Sequence, residues 1–241
     1  IVAIVRARNE ERHIALHCKH HDFADLILVA DGGSEDDTIE IAKEFPNVKV
    51  RDFPVLETLP GGYKRNPDYK HINFLIAWAE EEGADWIVMD DCDTNPNYLL
   101  REEAREIIEH AEHPYILAVQ IALWGKDHYF PKLSKPGNAG WQGGIWAWKA
   151  DTKLRTYGDP PHFMFKTIRE ADANVMLDFS IEPHVDVLPP HCRIHAVWED
   201  TELAEGHIEM YRKSNLISSM QMPTAWAGKL EVLDEWIRYG E

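Results

Sequence analysis

Three carboxylates in four positions, Asp90, Asp91 and Asp93, follow directly on the short apolar run Trp86-Ile87-Val88-Met89. A run of this length and composition reads as a strand buried on both faces of a sheet. Its acidic end then emerges at the C-terminal edge, where open α/β sheets place their ligands. Alternation along an extended chain sends Asp91 and Asp93 to the same side, as two oxygen ligands for one hard divalent cation with room left for substrate phosphates. The same stretch also fits a solvated acidic turn, because Asn95-Pro96 is itself a turn signal.

Other residues could do chemistry. Asp31 stands at the end of an apolar stretch and opens Asp31-Gly32-Gly33-Ser34, where it could accept hydrogen bonds from a ligand or simply form the turn. That glycine pair is not GxGxxG, and no GxxxxGK[ST] occurs, so dinucleotide and P-loop chemistry are poorly supported. His195 interrupts the apolar run Arg193-Ile194-His195-Ala196-Val197, and a neutral imidazole is a good ligand for Mn²⁺. Trp141, Trp146 and Trp148 could stack on a sugar ring or a flat acceptor, or else fill the core from alternate strand positions. Lys70 could meet an anion, or be a solvated helix lysine.

The elements that position these residues alternate strand with helix. Ile1–Val5 reads as a core strand, not a signal peptide, and leads through a polar turn into a helix ending near His20. A strand over Asp25–Ala30, a helix carrying Ile39, Ile41, Ala42 and Phe45, and a strand over Val48–Phe53 come next. The Pro/Gly-rich stretch from Pro54 to Pro67 reads as a loop, followed by a helix from Tyr69 to Glu82 and the strand that ends in the carboxylates. This order predicts a doubly wound, mostly parallel sheet. Beyond it the pattern predicts a helix over Tyr98–Ala111, a strand over Tyr115–Trp124 and a Gly/Pro/aromatic region with antiparallel strand up to Trp148. A helix over His162–Ala173, strands near Val185–Leu188 and Arg193–Trp198, and helices over Thr201–Met220 and Leu230–Tyr239 complete the pattern.

Length and composition bound the rest. A chain of 241 residues with 44% hydrophobic residues and nine Trp is globular, with no composition break to mark a linker. We expect one domain over 1–241, with a ligand-binding half at 1–97, an acceptor-side half at 98–220 and a helical tail at 221–241. The missing initiator Met points to residues trimmed or left out. A formal charge of −17 repels anions, so duplex nucleic acid is disfavoured and any anionic ligand needs a local basic cluster or a metal. Cys18, Cys92 and Cys192 are an odd, scattered set, which predicts reduced thiols in a cytoplasmic protein. No apolar stretch reaches the ~20 residues of a membrane span.

Four ordered motifs in the first hundred residues resemble the inverting family-2 glycosyltransferases of GT-A fold. Ile4-Val5-Arg6-Ala7-Arg8-Asn9-Glu10-Glu11 looks like the family's opening strand and turn, and Leu28 to Thr38 is similar to its V-V-D-x-G-S-x-D-x-T. Lys70 to Ala77 sits where the family has a basic residue ahead of its third helix, and Asp91-Cys92-Asp93 matches the DxD. The resemblance implies a metal-dependent transferase that moves a sugar from a nucleoside-diphosphate sugar, UDP-sugars favoured, to an acceptor hydroxyl with inversion. The acceptor is a glycan, a lipid-linked saccharide, a protein or a modified nucleobase. It further implies that Ala7, Arg8, Asn9, Glu10, Asp31 and Lys70 line the donor site, with Arg8 and Asp31 framing the base and Asp90 near the ribose or sugar. Asp91 and Asp93, joined by His195, would hold Mn²⁺ or Mg²⁺. Glu170 and Asp172 lie upstream of the His195 strand, as the family's catalytic base does, with Asp159, Glu199 and Asp200 as rivals. The family's acidic dipeptide is not found upstream of that strand, so a non-catalytic nucleotide-sugar or glycan-binding domain stays the alternative. A nucleotidyltransferase is disfavoured by the lack of a Gly-rich, basic loop after the first strand.

Overall fold

The computed structural model describes residues 1–58, 64–124, 128–132, 144–157, 164–167, 183–187, 191–195 and 228–229. The first half carries β1 (Val2–Ala7), α1 (Ile14–His20), β2 (Leu26–Asp31), α2 (Thr38–Ala42), β3 (Val48–Asp52), β4 (Glu57–Thr58), β5 (Lys64–Arg65), α3 (Asp68–Glu81) and β6 (Trp86–Met89). Then follow β7 (Thr94–Pro96), α4 (Tyr98–Glu109), β8 (Tyr115–Ala118), β9 (Gln120–Trp124), β10 (His128–Lys132) and β11 (Gly144–Lys149). After a 3₁₀ turn come β12 (Leu154–Tyr157), β13 (Met164–Thr167), β14 (Val185–Val187), β15 (Arg193–His195) and β16 (Gly228–Lys229).

Seven strands form the central sheet in the order β14-β8-β11-β6-β1-β2-β3. All neighbours in it are parallel except β11, which runs antiparallel to both β6 and β8. The side chains of β1 divide between two cores, as the two-residue period of a strand requires. Ala3, Val5 and Ala7 pack with Ile14 and Cys18 of α1, Ala42 of α2 and Leu100, Ala104 and Ile108 of α4. Val2 and Ile4 pack on the other face with Ile72, Leu75, Ile76 and Trp78 of α3. The sheet is therefore covered by helices on both faces, the doubly wound, mostly parallel α/β arrangement predicted from the strand and helix order. A smaller five-stranded sheet, β16-β10-β9-β15-β7, stands beside it and is antiparallel except where β15 meets β9.

Helix ends follow local chemistry. Asn97 caps α4, its side chain accepting from the Leu100 N–H at 3.0 Å. Gly83, at φ +79°, turns the chain out of α3 in a conformation that costs a side chain dearly.

Two expectations are corrected. Tyr115–Trp124 is not one strand: β8 joins the central sheet and β9 the smaller one, with Val119 between them bonded to Val187 and Arg193. The helix expected over His162–Ala173 is contradicted at Met164–Thr167, which form β13 against β12. Four residues are too short a stretch for helical periodicity to be distinguished from strand, and pairing with β12 decides it. Within Pro54–Pro67, Glu57–Thr58 and Lys64–Arg65 pair as a small ladder. The helices expected over Thr201–Met220 and Leu230–Tyr239 lie outside the described residues. Among the described residues, no helix is long and apolar enough to cross a membrane.

Candidate functional site

The chain runs from β1 outward to β2 and β3, then returns to place β6 on the other side of β1. Strand order therefore reverses between β1 and β6, and a crevice opens at the C-terminal ends of strands diverging in this way. Asp90–Asp93 occupies that point. In register, Ala7 lies beside Asp31 and Ile4 beside Met89, so the ends of β1, β2 and β6 share one edge.

Asp91 is about half exposed, and its Oδ1 accepts from Arg6 through Nη2 at 2.7 Å and Nε at 3.1 Å. Arg6 also pairs through Nη1 with Asp68 Oδ1, at 2.5 Å, in the first turn of α3. Burial pulls the Arg6 pKa down, but the charges of Asp91 and Asp68 outweigh it and hold the guanidinium above its ordinary value. Asp93 is partly buried, and Glu10 lies close enough to feel both aspartates. Burial first, and then the charges of Asp93 and Asp91, push the Glu10 carboxyl up against its bond to His13 Nδ1 at 2.9 Å. That same bond raises the pKa of His13. The Arg6 guanidinium thus bridges Asp91 and Asp68, and Glu10 lies within electrostatic reach of Asp91 and Asp93.

Asp31 is buried, and its carboxylate closes the turn it begins, accepting from the Ser34 N–H at 3.0 Å and the Ser34 hydroxyl at 2.6 Å. Of the two sequence readings, this is the geometry of a turn former. Asn9, at φ +56°, accepts from the Glu35 N–H at 2.8 Å, and the Glu10 N–H donates to Thr38 Oγ1 at 2.7 Å. The loop containing Arg8, Asn9 and Glu10 is thereby stitched to the loop containing Asp31. Asn66 completes this edge, its Nδ2 donating to the carbonyls of Val55 at 2.9 Å, Gly32 at 3.2 Å and Phe53 at 3.3 Å.

Asp90, expected near a ribose or sugar, is placed with its side chain turned into the interior. Its side chain has no exposed surface and is enclosed by three partners. Oδ1 accepts from Arg193 Nη1 at 3.0 Å, and Oδ2 meets Trp146 Nε1 and His21 Nε2, each at 3.1 Å. His21 Nδ1 in turn faces the His17 carbonyl at 2.9 Å. Asp90 is an internal anchor. Of the two readings for the aromatics, the core one holds for Trp146 and Trp148, which are fully buried in opposite cores, while Trp141 lies outside the described residues.

The remaining expectations divide. Lys70 is exposed on α3 and pairs with Glu57 at 3.2 Å, on the small β4–β5 ladder. His195 ends β15 with its backbone opposite Thr94, one residue from Asp93; its side chain is outside the described residues. Glu170 and Asp172 lie outside them too, with Asp159, Glu199 and Asp200. Arg6, Asp68, His21, Asn66 and Arg193 were not singled out from sequence. Only Arg6 carried a local signal, a charge set inside an apolar strand beside a motif.

No protein-family model and no curated protein matches the chain. Among solved structures, S. aureus TarS in complex with UDP-GlcNAc is similar at 23% identity and a TM-score of 0.40, over 52% of this chain and 35% of that one. Glucosyl-3-phosphoglycerate synthase from Mycobacterium tuberculosis, in complex with phosphoglyceric acid, is similar at 18% identity and a TM-score of 0.42, over 66% of this chain and 60% of that one. A 4-diphosphocytidyl-2C-methyl-D-erythritol synthase is similar at 15% identity and a TM-score of 0.40, over 63% and 76% of the two chains. The match thus spans about a third of TarS and three fifths of the mycobacterial synthase. At these scores no residue role passes from them to this chain.

Proposed function

We propose that this protein is a metal-dependent glycosyltransferase that moves a sugar from a nucleoside-diphosphate sugar, a UDP-sugar by preference, to an acceptor hydroxyl with inversion. The reading is carried by one observation: Asp91 and Asp93 stand at the reversal of strand order between β1 and β6, with the His195 backbone opposite Thr94. The donor set fits Mn²⁺ or Mg²⁺, since carboxylate oxygens are hard ligands and Glu10, Asp91 and Asp93 together leave an excess of negative charge at the crevice. Among the described residues no group of three or more His, Cys, Asp or Glu could hold a metal ion. In this reading the ion would be held by Asp91 and Asp93, with the remaining positions left for diphosphate oxygens and water.

In this reading Asp91 and Asp93 hold the ion, Arg6 orients Asp91, and the turns at Arg8 and Asp31 receive the nucleoside. When bound, the ion neutralises the charge that builds on the departing diphosphate without a proton transfer. A carboxylate, Glu170 or Asp172, takes the proton of the acceptor hydroxyl while its oxygen bonds to the anomeric carbon and the bond to the diphosphate oxygen breaks on the opposite face. The three free, buried cysteines suit a cytoplasmic setting, and burial pushes the Cys18 and Cys192 thiols up to about 12.

Titration calorimetry with UDP, first in EDTA and then in Mn²⁺, tests the reading. Binding is expected only with the metal, because the diphosphate otherwise faces the carboxylates directly. Asp91→Asn and Asp93→Asn are expected to abolish the metal-dependent part while leaving the fold nearly intact, since each keeps an oxygen acceptor at a strand end. Equal UDP affinity in EDTA and Mn²⁺ would remove the metal role. Donor turnover that persists in both Glu170→Gln and Asp172→Asn would remove those two as the base.

A further inference from the structure

We propose that Asp90 and Arg193 are positioning residues: their buried ion pair clamps the acidic turn Asp91–Asp93 to the strand that carries His195 and presets the site before any ligand arrives. The inference rests on the reading of Asp91 and Asp93 given above, and concerns what holds them.

The turn has two ends, and β15 grips both. At one end Thr94 lies opposite His195 in the β7–β15 ladder, and the turn closes with the Thr94 N–H donating to the Asp91 carbonyl at 2.8 Å. At the other end, Asp90 Oδ1 takes Nη1 of Arg193, two residues before His195 on the same strand. The Arg193 side chain also reaches across the boundary between the two sheets, Nη2 donating to the carbonyls of Ala118 at 3.2 Å and Gly144 at 3.3 Å. One guanidinium from the smaller sheet therefore touches the ends of β6 and β8 and the start of β11 in the larger one. Gly144 leaves the space for it, since a Cβ there would stand 3.2 Å from Nη2.

Energetics favour a positioning role over plain stabilisation. Desolvating two charges offsets most of their attraction, and well-packed apolar replacements often do as well, so a buried pair is a poor device for stability alone. Removing one partner is different, because it strands the other charge in the interior. Asp90 would keep its contacts to His21 and Trp146, and the turn would lose its side-chain tie to β15 at that end while keeping the ladder at Thr94.

Native cysteines report on this without any ligand. Cys92 sits inside the turn and Cys192 precedes Arg193, and both are buried. Wild type, Arg193→Met, Arg193→Lys, Asp90→Asn and a control, Ile76→Ala on the far face of the sheet, are exposed to a maleimide under native conditions. Peptide mass mapping then gives the rate at each cysteine. Arg193→Met and Asp90→Asn are expected to label Cys92 about tenfold faster or more, because a stranded buried charge opens its surroundings locally. Arg193→Lys, which keeps the charge but cannot span to Ala118 and Gly144, is expected to fall between, and serves where Arg193→Met does not fold. Ile76→Ala is expected to match wild type. Unchanged Cys92 labelling in the folded clamp variants, or an equal rise in Ile76→Ala, overturns the proposal.

The second readout is UDP affinity in Mn²⁺. It is expected to fall in the clamp variants and hold in the control; retained affinity in variants with a loosened turn would also overturn the proposal. A wild type that binds no UDP strikes the functional reading alone, and the labelling still decides the clamp.

Discussion

Gly32 shows how narrowly single atoms set the edge of the crevice. A Cβ built there would stand 2.1 Å from Asn66 Oδ1, far inside contact distance. Asn66 cannot simply swing aside, because its Nδ2 holds the carbonyls of Gly32, Phe53 and Val55. Gly32→Ala should therefore expel Asn66 and release those carbonyls, at a cost of about 1–3 kcal/mol in urea unfolding. Asn66→Ala removes the same bonds from the other side. The double variant is accordingly expected to cost little more than Asn66→Ala alone, a non-additivity that a double-mutant cycle measures. Additive losses would mean that Asn66 is not what makes glycine necessary at 32. The same scale separates what the sequence disclosed of the site from what it hid. Asp91 and Asp93 were legible because charges directly after an apolar run must leave the sheet at its end. The partners of Asp90 lie 69, 56 and 103 residues away, at His21, Trp146 and Arg193, and no local pattern announces such an association.

Elements in the first half were readable because a parallel strand buried on both faces leaves an apolar run, as in Leu26–Ala30 of β2, and a helix follows directly on β1 and β2. The second half lacks that regularity. Tyr115–Trp124 is apolar throughout, and nothing in it marks Val119 as the place where the chain passes from one sheet to the other; that is settled by Val187 and Arg193, far along the chain. The start of α4 matters to this junction. Asn97 caps the helix with its side-chain oxygen, which also lies 3.3 Å from the Cys192 N–H, while its own N–H donates to the Cys192 carbonyl at 2.8 Å. Asn97→Ala is expected to cost about 1–2 kcal/mol, the upper part of the range for a lost cap, because one oxygen serves both the helix and the approach to β15. Asn97→Asp keeps the acceptor and should recover most of it. Denaturant midpoints of the two variants decide this, and an alanine variant as stable as wild type would mean that the cap is idle.

Across the whole molecule, buried histidines line both faces of the sheet and should give the fold a marked acid sensitivity. His71 stacks on Phe53 and bonds through Nε2 to the Ala30 carbonyl at 2.9 Å, and burial lowers its pKa to about 4. His17, on the opposite face, stacks on His21 with no partner for either ring nitrogen among the described residues, and burial holds its pKa well below the ordinary value. Burial lowers His20 as well. For each of these the unfolded chain binds a proton more readily than the folded one, so stability rises with pH through the window between the folded and unfolded values. For His71 that window runs from about 4 to the ordinary 6.5, worth ~3 kcal/mol at ~1.36 kcal/mol per unit. The contribution is complete above 6.5 and is lost as pH falls towards 4. His13 opposes the trend, since its bond to Glu10 raises its pKa and stabilises the fold below the unfolded value, and the raised Glu10 carboxyl acts in the same sense at lower pH; His71, His17 and His20 act the other way. Urea unfolding in EDTA, from pH 7.5 down to 5, should therefore show a steady loss of stability. His71→Gln, which keeps a donor for the Ala30 carbonyl but cannot take up a proton in this range, should flatten part of the slope and leave the contributions of His17 and His20 in place. A wild type equally stable at both ends of the range, or a slope untouched by His71→Gln, would show that His71 is not held neutral by the packing of α3 on the sheet.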